Sequence, residues 1–229
     1  MQRFVFSIFF VLLSAMGFGQ KAAVRDTARS FLPTGLRVGL DLIPYVRVPL
    51  GSRYEGFEVN ADVDFYRYFL AVDFGRSAFR DSLRNGFYAN EGMFWRVGAD
   101  VNFLLKDPDR NMIFLGVRYA EATFANEAVI TTSSQTFGQI TQTFTENNGT
   151  ANWRELTGGL RVKVWKWLWM GYTFRFKFGL NVQGNDTLQP YDIPGFGLTF
   201  RNTAWGANYQ VFIKIPFRRQ PVPPGFLNR

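Results

Sequence analysis

The sequence predicts an all-β protein, an eight-stranded antiparallel transmembrane β-barrel with a polar, side-chain-filled interior. Three observations carry this expectation. Eight segments alternate apolar and polar residues with period two, the pattern of strands with one apolar and one polar face. Their connections run long, short, long, short, long, short, long, as expected for a barrel with tight turns on one side of the outer membrane and longer loops on the other. Bulky aromatics lie on the apolar faces and glycines on the polar ones, so the crowded side of the sheet is the polar side.

Residues 1–19 carry Arg3, the apolar run Phe4 to Leu13 and a small-residue end at Gly17-Phe18-Gly19, and read as a signal peptide cleaved before Gln20. No later stretch is apolar for long enough to be a membrane helix. Residues 20–34 form a polar periplasmic leader with Pro33, and the barrel is expected over 35–217. Its first strand sets Leu36, Val38, Leu40 and Leu42 against Arg37, Gly39 and Asp41, and a loop follows from Pro44 to Tyr54. The second, Phe57 to Phe65, is the most regular: Phe57, Val59, Ala61, Val63 and Phe65 oppose Glu58, Asn60, Asp62 and Asp64. A tight connection near Arg67-Tyr68 leads to the third, where Leu70, Val72 and Phe74 oppose Ala71, Asp73 and Gly75.

Ser77 to Glu91, which contains Asn85-Gly86, reads as a longer polar loop. The fourth strand places Trp95, Val97, Ala99, Val101 and Phe103 against Arg96, Gly98, Asp100 and Asn102, and Lys106 to Asn111 has turn composition. In the fifth, Ile113, Leu115, Val117 and Tyr119 oppose Gly116, Arg118 and Ala120. Ala122 to Trp153, rich in Thr, Ser, Gln and Asn, is the longest loop, with room for an extension of the flanking hairpin. The sixth strand sets Leu156, Leu160, Val162 and Val164 against Thr157, Gly159, Arg161 and Lys163, and Trp165-Lys166-Trp167 turns the chain. The seventh sets Met170, Tyr172, Phe174, Phe176 and Phe178 against Gly171, Thr173, Arg175, Lys177 and Gly179, and a long loop covers 181–203. The eighth runs from Trp205 to Phe217 with Asn208, Gln210 and Lys214 on its polar face, and 218–229 is a basic, proline-rich periplasmic tail.

Alternation alone also fits a soluble lipocalin-type barrel with the apolar face inward. Phe57, Phe65, Phe74, Trp95, Phe103, Tyr119, Phe174, Phe176, Phe178 and Trp205 would crowd such an interior but suit lipid. Aromatics also gather at the strand ends, Tyr66, Tyr68, Trp165, Trp167 and Trp169 at short turns and Trp95, Tyr119, Trp153 and Trp205 toward long loops, as interfacial girdles do. With the polar face luminal, carboxylates of Asp41, Glu58, Asp62, Asp64, Asp73 and Asp100 enter from the first four strands. Arg96, Arg118, Arg161, Lys163, Arg175, Lys177 and Lys214 enter mainly from the other arc, with Arg37 on the first strand. A barrel of eight strands is only wide enough to be filled by side chains, so a luminal ion-pair network is expected. A narrow charged conduit is the other reading, and crowding weighs against it.

The absence of cysteine removes disulfides and a lipid anchor, and the absence of histidine removes the imidazole base and the usual zinc ligand. Asp62 and Asp64 share a strand face and read as ion-pair partners before they read as an acid–base pair. No enzymatic activity, cofactor or metal is expected. The net charge of +8 lies largely on the polar faces of strands and not on a contiguous surface, so nucleic acid is not an expected partner. Asn148-Gly149-Thr150 has the form of a glycosylation acceptor, to which a bacterial barrel gives no weight.

The signal ending before Gln20, the cysteine-free eight-strand pattern and the run WKWLWMGYTFRFKFG resemble a family of small outer-membrane barrels from Bacteroidota-type bacteria that carries only an unknown-function label. The segment VFIKIPF resembles an outer-membrane assembly signal, although a tail follows its terminal Phe217. The resemblance implies location and fold and brings no functional residues with it. Expected partners are outer-membrane lipid and other outer-membrane barrels or lipoproteins. The expected role is an accessory or scaffold subunit of a larger outer-membrane complex. The alternatives are a small passive channel or hydrophobic-solute conduit, and surface adhesion or ligand binding through the outer loops.

Overall fold

The structure is a computed structural model that describes residues 31–47, 53–105, 107, 110–134, 138–184 and 188–218. The expected signal peptide, most of the leader and the tail from 219 onward lie outside the described residues. Eight antiparallel strands close into one barrel: β1 (Gly35–Asp41), β2 (Tyr54–Phe65), β3 (Tyr68–Leu83), β4 (Gly86–Asn102), β5 (Met112–Ser134), β6 (Gly138–Lys163), β7 (Leu168–Gln183) and β10 (Thr203–Pro216). Each strand pairs with its neighbours in sequence order, and β1 pairs with β10 to complete the ring. A five-residue helix, α1 (Ile43–Arg47), follows β1, and a small sheet of β8 (Asp192–Ile193) and β9 (Gly197–Leu198) lies between β7 and β10.

Period two puts one face of each strand inside, and exposure decides which. Val117 is 61% and Phe174 60% exposed, whereas Asp100 is 0% and Arg96 2% exposed. The apolar face is outward and the polar face fills the lumen, which makes this a transmembrane barrel. Exterior aromatics pack along the wall: Tyr172 stacks on Tyr209 with ring centroids 4.5 Å apart, and Phe176 meets Trp205 at 4.8 Å. The lumen is tight enough to require glycine. A Cβ at Gly116 would run into the Asp100 carboxylate and meet Thr157 Oγ1 at 2.9 Å, and one at Gly75 would run into the Phe94 ring.

Two of the long loops read from the sequence are largely strand, and a third begins as strand. The 77–91 segment is the tip of a hairpin in which β3 and β4 stay paired to Leu83 and Gly86, with Arg84-Asn85 turning the chain. The 122–153 segment is the outer half of a hairpin whose strands are 23 and 26 residues long, with register shifts between Phe124 and Asn126 and between Asn152 and Arg154. In 181–203, β7 continues to Gln183 before the loop begins. The reason is that alternation persists but its sign reverses. On the outer parts of β3 to β6 the inward residues are mostly apolar, Phe79, Tyr88, Phe94, Ala120, Ala122, Phe124, Ala151 and Trp153 with the paired Asn90 and Asn126 among them, and polar residues such as Arg80, Glu91, Glu127 and Arg154 face out. Above the apolar band the exterior meets water, so an apolar face is stable only when it is covered from inside. The loop from residue 188 to 202 supplies that cover: Ile193 and Phe196 join Phe94, Phe124 and Trp153 in a core over the lumen.

Two aromatics expected in the girdles are inside as well. Trp153 is fully buried in this upper core and Trp169 is buried in the lumen, because both lie on the inward phase of their strands. Trp165, Trp167, Tyr68, Trp95, Tyr119 and Trp205 are exposed as girdle residues would be. The sidedness makes a measurable difference. Val117→Arg is expected to cost about 2–4 kcal/mol in the denaturant unfolding of vesicle-inserted protein, against about 0–1 for Thr123→Arg nearer the rim.

Candidate functional site

The lumen is the most highly organised set of polar side chains in the described residues. Glu58, Asp62, Asp73, Asp100 and Glu155 are matched by Arg37, Arg96, Arg118, Arg161 and Arg175, all nearly or wholly buried. Toward the short turns, Asp62 takes Arg37 at 2.7 Å and Arg161 at 2.5 Å, and Asp100 takes Arg118 at 2.7 Å. Toward the long hairpins, Arg175 donates to Asp73 and Glu155 at 3.0 Å each, and to Asn208 at 2.7 Å. Arg96 lies 2.8 Å from Glu58 and donates to Glu155 at 2.9 Å. The equality of five and five leaves the interior close to neutral, and the shared charge-assisted hydrogen bonds offset desolvation that lone charges could not bear.

The guanidinium faces are covered by aromatics. Arg161 sits over Phe114 at 4.8 Å and Phe212 at 4.7 Å, Arg37 over Phe69 at 4.6 Å, and Arg96 over Phe94 at 4.4 Å. These inward rings interrupt the polar alternation, and sequence reasoning did not assign them to the lumen. Glu155 was missed for a related reason: it lies where the sign of the alternation changes, between inward Trp153 and outward Arg154 and Leu156. The signal available was the run Trp153, Glu155, Thr157, Gly159, Arg161 at period two.

Five expected members of the network, Asp64, Lys214, Asp41, Lys177 and Lys163, are placed differently from the rest. Asp64 sits at the short-turn end, where it takes Lys214 at 3.3 Å and accepts from the N–H groups of Thr34 at 2.7 Å and Gly35 at 2.8 Å. Asp41 has no ion-pair partner among the described residues; its carboxylate accepts from Asn208 at 2.8 Å and from the N–H groups of Tyr209 and Ile43. Lys177 is buried but donates to carbonyl oxygens, Gly195 at 2.7 Å and Phe196 at 3.0 Å, and not to a carboxylate. Lys163 is a correction: as the last residue of β6 it is exposed at the rim, where its ammonium keeps its water.

Lys177 thus holds the inserted loop, and Arg96 adds a 3.0 Å bond to the Gly195 carbonyl. Gly195 has φ +79° and lies against the Phe94 ring, so only glycine fits there without strain. Above it, Asn90 donates to the Asp192 carbonyl at 3.0 Å, the Tyr191 N–H donates to Tyr88 Oη at 3.0 Å, and Tyr54 donates to the Asp192 carboxylate at 2.9 Å. Burial pushes the Asp192 carboxyl up to about 6, against the lowering effects of the Tyr54 hydrogen bond and of Lys177. Beside the loop, bounded by β2, β10 and α1, lies a cavity of about 490 Å³. No group of three or more candidate metal-ligating side chains occurs among the described residues.

This geometry defines a class: small transmembrane β-barrels whose lumen is closed by paired side chains and capped by an inserted loop. The family model described as a domain of unknown function, DUF6048, matches residues 1–220, and the chain belongs to that family. Among solved structures it is similar to the crystal structure of Acinetobacter baumannii CarO, with 10% sequence identity and a TM-score of 0.40 over 83% of this chain and 100% of that one. No curated protein matches the chain.

Two outcomes follow from the site. Arg175→Ala strands buried carboxylates and is expected to cost about 3–5 kcal/mol in urea unfolding. For Asp192 the docked carboxyl titrates above its ordinary value of 3.8, so the docked state binds more protons between that value and about 6, and docking weakens as pH rises through this window. Hydrogen exchange at the Phe196 and Thr199 amides, corrected for intrinsic rate, is expected to be slower at pH 4.5 than at pH 7.5. Asp192→Asn should remove the difference.

Proposed function

We propose that this protein is a non-enzymatic barrel of the Gram-negative outer membrane, exported through its signal peptide, with its short turns in the periplasm and its long hairpins outside. In this reading it serves as an accessory or scaffold subunit of a larger outer-membrane complex. The observation that supports it is the closed lumen. Ion pairs and stacked rings occupy the interior and the 188–202 loop covers it, so the surfaces left to act are the exterior wall and the rims. Lipid and neighbouring barrels or lipoproteins are the partners such surfaces meet, and no residue constellation here calls for a cofactor.

A second reading, ligand binding or adhesion at the cell surface, is favoured by one feature. Among the described residues, Gly138 to Glu146 of β6 pairs with β5 alone, because pairing with β7 begins at Thr150. An edge of that length without Lys, Arg or Pro lacks the usual protection against strand addition.

Purification from native outer membranes in mild detergent through a tag after Arg229 is expected to bring down a stoichiometric barrel or lipoprotein partner, and planar-bilayer recordings are expected to show no steady conductance. A lone barrel that conducts would replace this reading with the channel. A lone, silent barrel whose surface binding is lost on deleting residues 128–144 would replace it with the adhesin.

A further inference from the structure

The closing strand is too short for its place. β1 has seven residues, whereas a tilted membrane strand needs about 9–11 to cross the apolar layer. It leaves the sheet at Asp41, whose side chain accepts from the Ile43 N–H and turns the chain into α1. The last backbone bond to β10 is Leu42 N–H to the Tyr209 carbonyl at 2.8 Å. Beyond that point no strand among the described residues lies between Tyr54 to Glu58 of β2 and Thr203 to Asn208 of β10, and α1 packs against both strands.

This slot lies at bilayer depth. Trp205 pairs with Phe176 of β7, within the outward row from Tyr172 to Phe178, and Phe57 and Trp205 face outward on either side of the slot. Open strand edges are not left against hydrocarbon; they occur where they line a polar or water-filled cavity. Behind the slot is the 490 Å³ cavity, within the range of small-ligand sites; its lining carries Asp41, Glu55, Glu58 and Asp192 as well as Lys177, Arg175 and Arg96, and of these cations Arg175 and Arg96 are already held by carboxylates. Lys177 donates to two carbonyls and an ammonium has three protons, so one remains. Arg47 at the end of α1 and Arg201 before β10 also line the cavity and are exposed, and neither has a carboxylate within ion-pair distance among the described residues.

We propose that the slot and cavity form a binding site for the phosphate-bearing headgroup of a membrane lipid, whose acyl chain leaves between β2 and β10 along Phe57 and Trp205. The arrangement matches such an amphiphile part for part. Arginine suits phosphate because its fork donates two parallel hydrogen bonds, and Arg47 and Arg201 stand where a headgroup enters. The aromatic exterior takes the chain, and the opening faces the bilayer, which is the source of the ligand. The site is separate from the scaffold role proposed above and rests only on the barrel spanning a membrane.

The test uses the full chain, refolded in neutral detergent and examined by native mass spectrometry with three probes: lysophosphatidic acid, lysophosphatidylcholine and glycerol 3-phosphate. One molecule of lysophosphatidic acid should be retained, about tenfold better than lysophosphatidylcholine, on the scale of one or two charge-assisted hydrogen bonds. The double variant Arg47→Gln, Arg201→Gln should lose that preference. Both arginines are exposed, so barrel folding, checked by heat-modifiable gel migration, is expected to be unchanged. Gly206→Leu, whose side chain would enter the cavity beside Lys177, should lower retention of either lipid. Competition by glycerol 3-phosphate at equal concentration would overturn the lipid part, since the site would then be one for free phosphate. Equal retention of the two lipids, or a preference that survives the double variant, would overturn the proposal.

Discussion

The rest of the structure depends on a charge balance inside the barrel. Five carboxylates and five guanidiniums occupy a lumen from which bulk water is displaced, and each is tolerable only because the others are there. The pairs do not follow the sheet. Arg161 of β6 reaches Asp62 of β2, and Arg175 of β7 reaches Asp73 of β3, so the bonds run across the barrel between strands that are four apart in the ring. Such ties act on closure and register together. A slip of one residue in β2 would turn Glu58 and Asp62 to lipid and leave their arginines unpaired, a penalty far larger than the change in ladder hydrogen bonds.

The same strands carry a second organisation above the first. Where β3 to β6 rise past the apolar band, the solvent outside changes from lipid to water and the inward residues change from charged to apolar. That surface needs a cover, and the loop between β7 and β10 provides it with Ile193 and Phe196. Lys177 stands at the junction. Its stem lies on the inward phase of β7 with the polar network, and its ammonium binds the carbonyls at the loop's turn. Arg96 binds the Gly195 carbonyl as well, so the plug is fastened both by a cation outside the ion pairs and by one within them.

How much of this the sequence disclosed follows from the same change of sign. Within the apolar band, where lipid and lumen enforce opposite chemistries, residues such as Asp62, Asp73, Arg96, Asp100 and Arg175 could be assigned to the interior from period alone. Ion-pair partners could not, because Arg161 and Asp62 are 99 residues apart and only closure of the ring brings them together. Above the band the alternation continues with its polarity inverted, and Ala122 to Trp153 looks like a polar loop when polarity is expected to lie inside. Glu155 falls at the inversion and was lost with it. The inward rings of Phe69, Phe94, Phe114 and Phe212 have no place in that pattern either: they fall on the phase where polar residues are expected, yet a guanidinium without a full shell of carboxylates is well served by a π face.

The ring is thinnest at β1, where it closes. β1 shares five residue pairs with β2 and seven with β10, against sixteen between β3 and β4. Side chains make up for the missing ladder: Arg37 binds Asp62 across β1 and β2, Asn208 binds Asp41 across β10 and β1, and Lys214 reaches Asp64 from β10 past β1. Every charged inward residue of β1 is thereby tied to a neighbouring strand. Above Asp41 no strand among the described residues lies between β2 and β10, and α1 packs against both of them beside the cavity. A barrel that closes its lumen with a neutral network and caps it with a loop braces its seam by side chains only up to this point, where a short helix takes the place of a strand.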